Sequence, residues 1–254
     1  MQNLRVHILQ LAIAWEDPIK NLAKIDTYLD KVGIGEILIL PETFATGFSM
    51  KQMSIKQTMS GSIVEWMKDR SKNRVICGSV FIEENSKVYN RFIWCEDGSV
   101  KHTYDKSHLF SLGKEDDYYD AGIKNITIEY KGFRIRPFIC YDLRFPVWNR
   151  NNDEIDLYIY VANWPEVRSQ AWQKLLEARA IENQVFVAAA NCVGIDGTGV
   201  KTNGLSGLID YTGEWVLQEK ETEKLISFDI GKDELLKFRT SLPFLNDRDQ
   251  FEIT

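Results

Sequence analysis

Three short stretches hold the residues in this chain best suited to chemistry. Pro41-Glu42-Thr43-Phe44 sets a carboxylate just after a continuous aliphatic run, Ile37 to Leu40. Tyr104-Asp105-Lys106-Ser107-His108-Leu109-Phe110 carries a lysine in a segment anchored by an apolar pair. Pro137 to Pro146, PFICYDLRFP, carries Cys140 where a β-forming run breaks into a polar turn. Pro146 bars a helix interior there. A cysteine presented at a strand exit is a candidate nucleophile, and the N–H groups just beyond it can face a developing oxyanion. Glu42, Lys106 and Cys140, converging from three strand ends, would form a site that hydrolyses an amide.

Each of these residues also has a plainer reading. Glu42 is either a turn or capping acid at the surface, or an acid whose partly desolvated site suits it to act as a general base. Lys106 could be a surface lysine paired with Asp105. Cys77, Cys95 and Cys192 fall in strand-like or strand-exit stretches and read as inert core. A cysteine–histidine dyad is the first alternative, and His108 is the one histidine placed near Cys140. His7 lies inside the first strand and His102 on an exposed hairpin. The stretch Gly113 to Gly122, GKEDDYYDAG, is either a solvated acidic turn or a loop over the site with Glu115 facing inward. Scattered histidines and unpaired cysteines offer no metal-ligand cluster. No glycine-rich phosphate motif and no G-x-S-x-G is present.

The elements that must hold these residues follow from periodicity and punctuation. Leu4 to Leu11 reads as a strand. Asp17-Pro18 opens a helix whose Leu22, Ile25, Leu29 and Val32 face inward, ending at Gly33 or Gly35. Ile37 to Leu40 is a buried strand. Ser62-x-x-Glu65 reads as a capping box. Val75 to Ile82, Val88 to Cys95 and Val100 to Tyr104 form a meander with turns at Asn85-Ser86 and Asp97-Gly98. Ile126 to Tyr130 and Phe133 to Ile139 make a hairpin that delivers Cys140. Asp156 to Val161 is a strand. Ser169 to Asn183 is a helix with Trp172, Leu175, Leu176 and Ile181 inside and Arg179 and Glu182 outside or at its edge. Strands follow at Val185 to Ala190, Leu205 to Ile209, Trp215 to Leu217 and Leu225 to Ile230, with a loop at Gly194 to Gly197. Lys232 to Phe238 is the last helix. A βαβ unit followed by a meander occurs twice. This predicts an α/β fold: a four-layer α-β-β-α sandwich of two mixed sheets with outer helices.

Composition narrows the classes. With 254 residues and 44% apolar content, the chain can bury a large core, and no linker-like segment divides it. A single domain over residues 1–254 is expected. A net charge of −6 with no basic stripe argues against nucleic acid as a partner. No run approaches the length that spans a membrane. Four scattered cysteines without a secretory signal point to free thiols in the cytoplasm.

PETF, YDKSHLF and CYDLRFP, in that order, resemble the three catalytic motifs of the nitrilase superfamily. NWP followed by RSQAWQKLLEARAIENQVFV resembles the family's segment after the nucleophile, so the likeness covers nearly the whole chain. CYDLRFPVW in a short chain is most similar to the ω-amidase branch, which hydrolyses monoamides of short dicarboxylic 2-oxo acids such as 2-oxoglutaramate and 2-oxosuccinamate. The resemblance implies Glu42 as general base, Lys106 as oxyanion stabiliser, Cys140 as nucleophile and Glu115 as the family's second glutamate. It implies a thioester intermediate, no cofactor and a homodimer. A substrate with a distal carboxylate needs a cation, and Arg168 is the expected one. Arg144 is expected to pair with Asp142 or another acid. The Tyr141 N–H is expected at the oxyanion, and Phe44, Phe48 and Trp164 as pocket walls. A carbamoylase or nitrile hydrolase on the same scaffold, and a non-catalytic binding protein, are the competing readings.

Overall fold

The structure is a computed structural model that describes residues 3–252. The first half runs β1 (Asn3–Gln10), α1 (Pro18–Asp26), β2 (Ile37–Ile39), α2 (Gln52–Ile55), α3 (Ser62–Arg70), β3 (Val75–Glu84), β4 (Lys87–Glu96) and β5 (Ser99–Asp105). The second runs β6 (Ile128–Tyr130), β7 (Phe133–Ile139), β8 (Leu157–Ala162), α4 (Ser169–Asn183), β9 (Phe186–Asn191), β10 (Val193–Ile195), β11 (Lys201–Ile209) and β12 (Trp215–Lys220). β13 (Lys224–Gly231) and α5 (Lys232–Ser241) follow. One sheet has the order β13-β1-β2-β3-β4-β5, the other β10-β11-β9-β8-β7-β6 with β12 on β11.

Strand alternation sorts the side chains into the expected layers. Ile37 and Ile39 of β2 face the interior between the sheets, with Leu157, Ile159 and Val161 of β8. Leu38 and Leu40 turn the other way, against Ile25 of α1 and Ile63, Val64 and Met67 of α3. Tyr158, Tyr160 and Ala162 turn outward onto Trp172, Leu176 and Ala180 of α4. Two sheets back to back, each covered by helices, make the α-β-β-α sandwich. The hairpin turns are as read: Asn85, Ser86, Asp97 and Gly98 all have positive φ, the geometry that suits a two-residue loop. Among the described residues, no helix is long and apolar enough to cross a membrane.

Local details differ from the sequence reading for physical reasons. Asp17 caps α1 by accepting from Lys20 N at 3.0 Å. The helix stops at Asp26, and Leu29 reaches the core from a separate 3-10 turn, so neither Gly33 nor Gly35 ends it. Ser62 is the first helical residue rather than a cap. Its place is taken by Gln57, whose Oε1 accepts from Ile63 N at 3.1 Å, and Glu65 pairs with Lys68. On α4 the face is rotated from the expected one. Arg179 is buried and Ile181 is 54% exposed, because Arg179 answers a backbone carbonyl in the turn after β7. Part of the loop expected at Gly194 to Gly197 is strand, β10, paired with β11. β13 leaves the second sheet and pairs antiparallel with β1.

Candidate active site

The parallel strands β2, β7, β8 and β9 deliver their carboxyl ends to one place, where α/β sheets generally seat their ligands. Glu42 lies just past β2, Cys140 directly after β7, Asn163 after β8 and Cys192 after β9, while Lys106 follows β5. The Asn163 side chain donates to the Glu42 carbonyl at 2.6 Å, stitching the exits of two sheets together.

At the centre is a closed set of charges. Lys106 Nζ lies 2.9 Å from Glu42 Oε1 and 2.9 Å from Glu115 Oε2, and none of the three is exposed. Glu42 Oε1 also accepts from Asn90 Nδ2 at 2.8 Å, and Oε2 from Asn163 N at 2.8 Å. Phe110 N donates to Glu115 Oε2 at 2.6 Å. Burial works against the Lys106 charge, but Glu115, Glu42 and Cys140 outweigh it and hold the ammonium above its ordinary range. Burial pushes the Glu115 carboxyl up, against the pull of Lys106. Taking such groups out of water is expensive unless every charge is answered, and here each one is.

Burial, then Glu42, pushes the Cys140 thiol well above its usual range, and Lys106 opposes this only in part. The resting thiol is therefore protonated and needs a base to become a nucleophile.

The turn that presents Cys140 is held from several sides. Cys140 has φ +45° in a short 3-10 stretch, Cys140–Arg144. A non-glycine residue persists there only where its surroundings over-determine it. Asp142, wholly buried, accepts from Tyr104 Oη at 2.8 Å, His108 N at 3.0 Å and Ile139 N at 3.0 Å, and its Oδ1 lies 2.8 Å from His108 Nδ1. Asn149 Nδ2 donates to the Asp142 carbonyl at 2.7 Å and Arg179 Nη2 to that of Leu143 at 2.8 Å. Thr43, beside Glu42, likewise has a left-handed φ of +44°.

A cavity of about 230 Å³ opens onto Glu42, Lys106 and Cys140. Phe48, Tyr141, Trp164 and Arg168 line it. Phe44 does not. Turned by Thr43, it packs beside Trp66 in the layer between the first sheet and α3. Glu115 sits behind Lys106 rather than on the cavity wall. Arg144 is not paired with Asp142, whose oxygens are filled as above. Its guanidinium lies 5.0 Å from the Trp164 ring centre and lines the cavity, as Arg168 does over Phe110 at 5.1 Å. Neither guanidinium has a carboxylate partner among the described residues. His108 is stacked on Phe145 and engaged with Asp142, so it supports the turn rather than the thiol. His7 is tied to Ser227 and Glu36. Sequence reasoning missed Asn90, Asn163 and Cys192.

The chain as a whole is similar to known proteins. The chain is similar to "Omega-amidase YafV" of Escherichia coli (strain K12), 39% identical over 256 residues with 100% of each chain covered. It is similar to "2-oxoglutaramate amidase" of Bacillus subtilis (strain 168), 33% identical with 95% of this chain and 96% of the other covered. A solved CN-hydrolase superfamily protein from Xanthomonas campestris superposes with a TM-score of 0.96 at 38% identity, both chains covered in full. Saccharomyces cerevisiae Nit3 shares the fold, with a TM-score of 0.85 at 24% identity over 95% of each chain. The family described as carbon-nitrogen hydrolase matches residues 5–239, almost all of the sandwich, and the chain belongs to it.

Proposed function

We propose that this protein is a cysteine-dependent amidase. It hydrolyses the terminal amide of short 2-oxo dicarboxylic acid monoamides, of the 2-oxoglutaramate type, to acid and ammonia. The observation that carries this reading is the thiol of Cys140 set against a buried carboxylate and a buried ammonium at the floor of one cavity. Glu42 takes the thiol proton as Cys140 attacks the amide carbon. Lys106 and the Tyr141 N–H hold the oxyanion. Glu42 passes its proton to the departing ammonia, then activates the water that cleaves the thioester. Glu115 holds Lys106 in place from behind. The relatives that bear amidase names, similar along their full length, support the substrate class.

Arg168, and with it Arg144, binds the distal carboxylate. Both guanidiniums lie over aromatic rings and have no carboxylate partner among the described residues, and a fork of N–H donors matches a carboxylate. We also propose a single domain that works as a homodimer in the cytoplasm. Ile181 and Phe244 give apolar surface to such a partner where α5 meets the end of α4.

Ammonia release from 2-oxoglutaramate, an N-carbamoyl amino acid and a nitrile of matched length tests the reading. The 2-oxo acid monoamide is expected to be turned over far fastest. Preference for the carbamoyl compound or the nitrile would replace the assignment, and no turnover of any would favour a binding protein.

A further inference from the structure

Asn90 sits in the middle of β4, wholly buried, opposite Phe81 of β3. Its side chain is used in one direction only. Nδ2 donates to Glu42 Oε1 at 2.8 Å and lies 3.5 Å from Glu115 Oε1. Oδ1 is buried and has no hydrogen-bond partner among the described residues. An amide kept in a sheet for structure alone would have both ends met. Here the acceptor end is left unmet, which is destabilising, and the donor end is aimed wholly at the two carboxylates. The backbone carbonyl of the same residue accepts from Lys106 N at 2.9 Å.

We propose that Asn90 is a positioning residue for the hydrolytic site: its planar amide fixes Glu42 Oε1 and so holds the carboxylate in the orientation that meets the Cys140 thiol. This rests on the reading of Glu42 as the base. Lys106 cannot do the same alone, since it is a compact charge on a flexible stem that touches both acids. A directional donor from a rigid strand sets the rotation of the carboxylate, and the backbone contact places the lysine. The charged and titratable groups facing Glu42 are Lys106 from the end of β5, Glu115 from the 3-10 turn after it, Cys140 beyond β7 and Cys192 beyond β9. None of these is removed by changing Asn90.

The test uses the full chain with Asn90→Leu, close in size but without a donor, and Asn90→Ser, which keeps a hydroxyl. Three readouts are taken: kcat and KM for 2-oxoglutaramate, the pH profile of Cys140 alkylation by iodoacetamide without substrate, and the melting temperature. Asn90→Leu is expected to lower kcat roughly 10- to 100-fold, the range for a hydrogen bond to a charged group, with KM little changed. Its alkylation profile is expected to move to higher pH, because the ionised carboxylate has lost a donor. Asn90→Ser is expected to recover part of both, and carries the test if Asn90→Leu does not fold. Unchanged kcat, a loss confined to KM, or an unmoved alkylation profile would overturn the proposal. Glu42→Gln separates the two levels. If its alkylation profile matches the wild type, the base assignment fails and Asn90's role with it. If that profile collapses while that of Asn90→Leu stays put, only the Asn90 assignment fails.

Discussion

At the carboxyl ends of β2 and β5, Lys106 sits between Glu42 and Glu115. At the opposite end of β8, Asp156 sits between Lys232 and Arg239, 2.7 and 3.3 Å away. Both are buried clusters of three charges, and both tie distant parts of the chain together. They differ in balance and surroundings. The Asp156 cluster has cations in excess, and its Lys232 and Arg239 side chains are partly open to water. Asp156 also accepts from Arg134 N at 2.9 Å, so it fastens α5 to the start of β7. The Lys106 cluster has acids in excess, is closed to bulk solvent, and borders a thiol and a cavity. A buried ion cluster is therefore not in itself a mark of chemistry. What marks it is a spare carboxylate with a proton to gain and a nucleophile to lose one.

The strongest way to break this contrast is to remove the nucleophile. Cys140→Ala is expected to abolish ammonia release while leaving the melting temperature within a few degrees. Next, the two clusters should respond in opposite ways. Lys106→Ala should lose about 3–4 kcal/mol of transition-state stabilisation, a fall of about two to three orders of magnitude in kcat, with a smaller change in KM. Asp156→Ala should leave kcat near wild type and cost about 3 kcal/mol of stability in urea unfolding, since it strands two cations. If Asp156→Ala instead cripples turnover in a folded protein, the contrast fails.

Smaller effects sharpen the picture at the cavity rim. Arg168→Ala and Arg144→Ala should each raise KM for 2-oxoglutaramate by roughly tenfold, the loss of a charge-assisted pair, with kcat less affected. An unchanged KM for either would remove that arginine from carboxylate binding. The mildest test needs no substitution. Burial pushes the Cys95 and Cys192 thiols up to about 12 and Cys77 well above the usual range. Those three should stay unlabelled by iodoacetamide at neutral pH in the folded protein. Cys140 is also pushed up, so its labelling depends on Glu42 as base and should be far faster than the rest. Equal labelling of all four, read by peptide mass spectrometry, would contradict this.

Glu42 was legible because it follows a continuous aliphatic run, Cys140 because a β-forming run breaks into a polar turn there, and Lys106 because the apolar pair Leu109-Phe110 anchors its segment. Glu115 was read as the inward-facing acid of its loop, with a solvated acidic turn as the alternative, and the resemblance added its role as the second glutamate. The α4 face was misread because a helix's inner face is set by what it packs on. A carbonyl in the Cys140 turn draws Arg179 inside and leaves Ile181 out. Phe44 was misplaced because the left-handed Thr43 redirects the chain, and a positive φ at threonine has no sequence signal. Arg144 looked like a local partner for Asp142, but long-range donors, Tyr104 and His108, hold that carboxylate. Asn90 was passed over because a polar residue in a strand reads as solvent-facing until both neighbouring strands are known.

Mixing the protein with 2-oxoglutaramate, quenching in acid within milliseconds and weighing the intact chain would test the account most directly. A transient acyl adduct confined to the peptide that contains Cys140, and lost in Cys140→Ala, is the predicted result. Steady ammonia release by Cys140→Ala, or an adduct carried on another residue, would contradict it.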